Sequence, residues 1–275
     1  MSIKAADVKR LRDMTGVGMM DCKKALVEAD GDFDAAVEIL RKKGQKVAAK
    51  RADRDATEGV IATALADDRT TGVIVEVNSE TDFVARNDEF VAFADRIAAL
   101  ALAERPADLA ALRALDLDGQ TVEAAQTEMT GKIGEKIEVS RYALMSADNG
   151  EVVAYVHPGA KLGVLVQMTG SNGVQDTGRD VAMQVAAMNP IAATRDDVPE
   201  EVKQKEFEIG RELAINEGKP EQIVDRIATG KLERYFKDNV LVEQPFVKDS
   251  SMTVKDMLKK NEAGVIGYVR FALGA

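Results

Sequence analysis

Gly59-Val60-Ile61-Ala62-Thr63-Ala64-Leu65 is followed thirteen residues on by Gly72-Val73-Ile74-Val75-Glu76-Val77. The same pair of runs returns as Gly150-Glu151-Val152-Val153-Ala154-Tyr155-Val156 and Gly163-Val164-Leu165-Val166-Gln167-Met168, at an offset of 91 residues with no gap. β-Branched, apolar runs joined by a short polar or Gly/Pro connection read as β-hairpins. Each hairpin is succeeded by apolar residues at helical spacing, Phe90, Phe93, Ala94 and Ile97 in one case and Val181, Val185 and Met188 in the other. Each half closes on a similar strand, Ile137-Glu138-Val139-Ser140-Arg141-Tyr142-Ala143-Leu144 and Ile266-Gly267-Tyr268-Val269-Arg270-Phe271-Ala272-Leu273, now at an offset of 129. The pattern predicts a duplicated α+β core of two related subdomains, residues 59–146 and 147–275, with 38 extra residues in the second.

The extra residues fall at about 198–240. Val202, Phe207, Ile209 and Leu213 predict one helix, Glu217-Gly218-Lys219-Pro220 a sharp turn, and Ile223, Ile227 and Leu232 a second helix. Two helices joined this way form an inserted antiparallel helical hairpin, and its charge density predicts that it projects from the body. Residues 106–130 are acidic, rich in Ala and Leu, and read as helical.

Residues 1–44 read as a three-helix docking domain. Val8, Leu11 and Met14 share a face of the first helix, which Gly16-Val17-Gly18 breaks; Met19, Cys22, Leu26 and Ala29 mark the second. Asp30-Gly31-Asp32 supplies a stop and an N-cap, Phe33, Ala36, Val37 and Leu40 mark the third helix, and Gly44 is expected to end it. A basic linker, residues 45–58, follows.

The net charge of −10 opposes a general nucleic-acid or anionic-membrane binder. The charge is uneven: residues 1–54 hold 13 Lys/Arg against 9 Asp/Glu, and the remainder 24 against 38. One cysteine, Cys22, allows no internal disulfide and suits a reducing compartment. No apolar run approaches the roughly 18 residues of a membrane span, and the N-terminus has no apolar signal core, so a cytoplasmic protein without a membrane partner is expected.

An enzyme is poorly supported. The single histidine, His157, precedes Pro158-Gly159 in a hairpin connection, and neither it nor Cys22, on an N-terminal helix, belongs to a nucleophile–base constellation. Phosphate-binding glycine loops and metal-ligand spacings are absent, so no catalytic residue, metal or cofactor is expected. The sharper feature is Asn78-Ser79-Glu80-Thr81-Asp82-Phe83-Val84-Ala85-Arg86-Asn87-Asp88, a strand-to-helix joint with Thr81 or Asn87 as N-cap. Its counterpart after the second hairpin, residues 169–178, has no aromatic, so the repeat does not require Phe83. Two readings stay open: Phe83 staples the helix start, or it stands out as a wedge for a partner protein.

Thr81-Asp82-Phe83-Val84-Ala85, Thr15-Gly16-Val17-Gly18-Met19-Met20-Asp21-Cys22-Lys23-Lys24-Ala25-Leu26, His157-Pro158-Gly159-Ala160-Lys161-Leu162-Gly163-Val164-Leu165 and Gln244-Pro245-Phe246-Val247 resemble the bacterial elongation factor Ts family, in order and over nearly the whole chain. The resemblance implies a nucleotide-exchange factor for the GTPase elongation factor Tu, with a ubiquitin-associated-like fold for the three N-terminal helices. It implies that Thr81, Asp82, Phe83 and Val84 enter the GTPase domain and displace its magnesium. Met19, Met20 and Lys23 would dock on that same domain, while His157, Gly159 and Val247 would face the other end of the partner. Apart from the resemblance, the helical hairpin either supports a dimer of complexes or simply projects. A different class is an RNA- or ribosome-associated adaptor using residues 41–54, where seven Lys/Arg, from Arg41 to Arg54, lie within fourteen residues.

Overall fold

The computed structural model describes residues 3–170 and 174–274. Three helices come first: α1 (Ala5–Thr15), α2 (Met19–Glu28) and α3 (Phe33–Arg51). Leu11, Cys22, Leu26 and Ala36 are wholly buried between them. Met14, expected on the same face, is exposed instead. Gly16 adopts φ +64° and closes α1, a conformation that costs a residue without Cβ little. Asp32 caps α3, its carboxylate accepting from the Ala35 N–H at 3.0 Å. The Cys22 thiol donates to the Val17 carbonyl at 3.3 Å, the setting of a core residue.

The first half of the body runs β1 (Glu58–Leu65), β2 (Thr71–Ser79), one helical turn α4 (Asp82–Ala85), α5 (Asp88–Glu104), α6 (Leu109–Ala114), the ribbon β3 (Asp116–Leu117) and β4 (Gln120–Thr121), α7 (Val122–Ile133) and β5 (Glu138–Ser146). The second runs β6 (Glu151–Val156), β7 (Leu162–Thr169), α8 (Val174–Met188), α9 (Glu200–Asn216), α10 (Glu221–Asn239), the ribbon β8 (Pro245–Phe246) and β9 (Asp249–Thr253), α11 (Val254–Lys260) and β10 (Gly264–Ala272). The fold is α+β, with two three-stranded antiparallel sheets ordered β1-β2-β5 and β6-β7-β10. The repeat survives to the level of register. Val60 pairs with Val77, and Glu151 pairs with Met168, each residue 91 further on.

The third strands correct the sequence alignment. Val75 faces Tyr142, and Val166, its equivalent, faces Tyr268. The structural offset is therefore 126 rather than 129, and the second half exceeds the first by 35 residues rather than 38. Both tyrosines make the same bond, each hydroxyl donating to the carbonyl of a proline just past the helix that follows its hairpin, Pro106 after α5 and Pro190 after α8. Burial there pushes the Tyr268 hydroxyl up to about 12. A three-residue slip reverses which side chains face inward, so similarity of short strands cannot decide register where packing can.

Side chains alternate between the two faces of each sheet. Val73, Val75 and Val77 lie under α5 and α7, and Val153, Val164 and Val166 under α8. Ile61 and Ile74 point the other way and meet Val152 and Leu165, again 91 apart, so the sheets stack face to face with helices outside. The hairpin turns brace each other: the Ile61 N–H donates to the Ala160 carbonyl and the Val152 N–H to the Arg69 carbonyl, both at 2.7 Å. Gly72 and Gly163 sit in the inter-sheet contact, where a Cβ would lie 2.8 Å from Val152 Cγ1 and 2.5 Å from Ile61 Cγ2 respectively. Gly163→Ala is accordingly expected to destabilise by about 1–2 kcal/mol, because Ile61 must rotate away. Calorimetry would read this as a lowered main transition; an unchanged transition would mean the sheets yield freely.

Where α3 meets α7 the structure overturns the stop expected at Gly44. The helix continues to Arg51, and Gly44 is buried against Gly131 of α7. A methyl on Gly131 would overlap the Gly44 Cα. Glycine is there for close approach between helices, not for termination. The inserted helices α9 and α10 form the expected antiparallel hairpin, with Ala214 and Val224 buried between them and Gly218 at φ +70° in the turn. Its base is held by Arg195, which forks to Glu233 and Glu243 and stacks over Phe236 at 4.6 Å.

Candidate functional site

Strand β2 ends at Ser79, which is wholly buried, and the chain then turns out through Glu80 into α4. Thr81 is the N-cap of α4 and Asn87 that of α5, so both cap candidates are used. Asn87 accepts from the Glu89 N–H at 2.9 Å and more weakly from Phe90 at 3.4 Å. Val84 packs against the first core and Ala85 is buried in it. Successive helical side chains turn by about 100°, so fixing Val84 and Ala85 inward directs Phe83 away. Phe83 is 81% exposed, the most exposed large apolar side chain among the described residues, and it does not staple the helix. Asp82 lies beside it, its carboxylate paired with Arg86 one turn on at 2.8 Å.

The loop is held from two sides by residues whose part in it the sequence pattern did not reveal. Glu135, between α7 and β5, accepts from the Thr81 N–H at 3.0 Å and from the Thr81 hydroxyl at 2.8 Å. Glu80 accepts from Arg51 at 2.7 Å, from Arg54 at 3.0 Å and from the Lys136 N–H at 2.7 Å. Burial alone would raise the Glu80 carboxyl, but the Lys136 N–H and the Arg51 and Arg54 guanidiniums outweigh it and hold it down to about 2. A carboxyl depressed from its ordinary 4.5 contributes stability that is complete above pH 4.5 and drains as pH falls towards 2. Glu80→Gln is therefore expected to lower stability by about 1–2 kcal/mol near pH 6. The gap to the wild type should narrow in urea titrations between pH 4.5 and pH 3; a gap independent of pH would refute the role of the charge.

These ties also dispose of much of the basic stretch. Arg51 and Arg54 are engaged by Glu80, Lys43 by Asp21 at 2.5 Å and Lys42 by Glu38 at 2.7 Å. Glu80 and Glu135 lie 29 and 54 residues from their partners Arg51 and Thr81, a separation that periodicity does not report. Glu80 was legible only as part of the joint.

The remaining predicted contact residues stand elsewhere. Met19, Met20 and Lys23 are exposed on α2. His157 and Gly159 are exposed in the β6–β7 turn, where Gly159 has φ +91° and open space around its Cα. Val247, 45% exposed, lies in the β8–β9 turn, its N–H donating to the Gln184 side chain at 2.8 Å, with Phe246 buried beside it. Lys248 pairs with Asp180 at 2.6 Å. No hydrogen bond or ion pair among the described residues joins the Phe83 loop, the His157 turn and the Val247 turn into one pocket. The arrangement is a set of separate protrusions on a braced frame, suited to a broad protein surface. Part of the counterpart stretch at 169–178 lies outside the described residues; α8 begins at Val174. Among the described residues no group of three or more His, Cys, Asp or Glu side chains could hold a metal ion, and no helix is long and apolar enough to cross a membrane.

Comparison with known proteins gives a consistent result. The family model described as Elongation factor TS matches residues 80–275. The chain is 54% identical to Elongation factor Ts of Chloroherpeton thalassium over 264 residues, covering 94% of this chain and 91% of that protein. It is 50% identical to Elongation factor Ts of Amoebophilus asiaticus, with both chains fully covered. Against Elongation factor Ts of Alkalilimnicola ehrlichii it is 48% identical, covering all of this chain and 93% of that one.

Proposed function

The chain belongs to the elongation factor Ts family, and from that premise we propose that it is a guanine-nucleotide exchange factor for the GTPase elongation factor Tu, acting in the cytoplasm during translation elongation. The observation that carries this reading is Phe83, an apolar ring in water on a turn whose neighbours are tied down on both sides. A ring held out this way loses little freedom when a partner covers it, so more of its burial counts towards binding. The turn Thr81, Asp82, Phe83 and Val84 meets the nucleotide site of the partner, with the Phe83 ring as the part that enters it and disturbs its magnesium ion, while Val84 anchors the turn to the core. That ion neutralises phosphate charge, so displacing it loosens the nucleotide.

Linkage sets the scale. A partner that binds the empty GTPase better than the GDP form weakens GDP by the same factor. A roughly ten-thousandfold weakening requires about 5.5 kcal/mol of differential binding, whereas burying one Phe contributes about 1.5–3 kcal/mol. The rest comes from distributed contacts. Residues 1–44 dock through Met19, Met20 and Lys23, residues 59–146 carry the wedge, and residues 147–275 hold the far end of the partner through His157, Gly159 and Val247. The α9–α10 hairpin is the element free to join two such complexes. No bond in the nucleotide is made or broken, so the chain is no enzyme in this scheme. The adaptor reading loses ground because four of the seven cations in residues 41–54 are already paired.

The test is direct. Release of a fluorescent GDP analogue from Tu should accelerate by orders of magnitude when this chain is added, and absence of acceleration would refute the proposal.

A further inference from the structure

His157 is the sole imidazole of the chain, and its backbone is fully engaged. Its N–H donates to the Leu162 carbonyl and its carbonyl accepts from the Ala160 N–H, both at 2.9 Å. Ala160 is fastened to β1, and Lys161 pairs with Glu58 at 2.6 Å. The turn is therefore held to the body on both sides, and the imidazole ring is the part of His157 that these bonds leave untied. Tyr155, two residues back on the same face of β6, removes that freedom too. Its ring packs against the second core, its hydroxyl lies 2.8 Å from His157 Nδ1, and the two rings meet edge to face at 6.0 Å and 62°. A phenol is a better hydrogen donor than acceptor, and an unprotonated imidazole nitrogen is the better acceptor of the pair. With the Tyr155 hydroxyl donating to Nδ1, the ring proton resides on Nε2, the nitrogen with no partner among the described residues.

We propose that Tyr155 is a positioning residue: it fixes the His157 ring and its tautomer so that Nε2–H is presented to a hydrogen-bond acceptor, a carbonyl or carboxylate oxygen, on the partner protein. This rests on the docking role of His157 proposed above. The hydrogen bond selects the tautomer, the T-shaped contact selects the ring angle, and the braced turn selects the position. A donor prepared in advance loses less entropy on binding than one that must first find its rotamer and tautomer.

The sole histidine makes the test clean, because long-range nitrogen–proton NMR spectra of the full chain contain one imidazole. At pH 8 the wild type should show the Nε2–H tautomer, and Tyr155→Phe, which deletes only the hydroxyl, should show a mixture. In stimulated GDP release from Tu, Tyr155→Phe should raise KM by about three- to tenfold with kcat unchanged. His157→Ala should raise KM at least as much, and adding Tyr155→Phe to it should cost nothing further. An Nδ1–H tautomer in the wild type, or a Tyr155→Phe variant with unaltered tautomer and KM, would overturn the inference while the docking role stands. An unaltered KM in His157→Ala would instead refute the docking role, and with it the assignment of a partner acceptor.

Discussion

Phe83→Ala is expected to slow stimulated GDP release from Tu by about tenfold to a hundredfold, the equivalent of the roughly 1.5–3 kcal/mol that burying the ring would contribute. The free protein should barely register the change. Phe83 is 81% exposed, no core residue rests on it, and the caps of α4 and α5 come from Thr81 and Asn87. Thermal unfolding of the variant should therefore match the wild type within about 0.5 kcal/mol, which separates this substitution from Val84→Ala, where a core contact is removed. Stopped-flow release of a fluorescent GDP analogue reads the rate. If the variant exchanges as fast as the wild type, Phe83 is a surface ornament and the wedge must lie elsewhere.

Gly131→Ala should destabilise the protein by about 1–3 kcal/mol, against the sign that helix propensity alone predicts. Alanine is favoured over glycine inside a helix by about 1 kcal/mol. Gly131 lies within α7, but its missing Cβ is the space through which the Gly44 backbone passes. The obstacle is main chain, not the end of a flexible side chain, so α3 and α7 must separate. Separation pulls Arg51 from Glu80 and so loosens the base of the Phe83 loop. Hydrogen exchange across residues 45–51 is the measurement. Protection there should fall, and GDP release should slow with it although Met19, Met20 and Lys23 are untouched. Equal or greater protection in the variant would show that the crossing is not close.

Much of this architecture was legible in advance. The hairpin runs, the helical spacings after them and the turn at Gly218 are carried by residues within a few positions of one another, and local periodicity needs nothing more. The duplication was legible because its offset of 91 is kept without a gap, and the register shows why no gap is tolerated: Ile61 and Val152 serve both as inter-sheet contacts and as donors to the opposite hairpin turn. The strand-to-helix joint stood out because its twin has no aromatic. Where short-range rules failed, a remote partner had intervened. Gly44 reads locally as a stop, but its place is set by the close approach of Gly131, and the closing strands read as offset by 129, whereas Tyr142 and Tyr268 occupy equivalent positions 126 apart.

The α+β class, the repeat, the inserted hairpin and the candidate loop are all written in spacing along the chain. That Phe83 faces water, that Glu80 and Glu135 hold its loop, and that Arg51 and Arg54 are counterions rather than a free basic surface emerges from the packed fold. All three share one cause. Exposure and ion pairing depend on which groups from distant parts of the chain arrive within a few ångströms, and packing, not periodicity, chooses them.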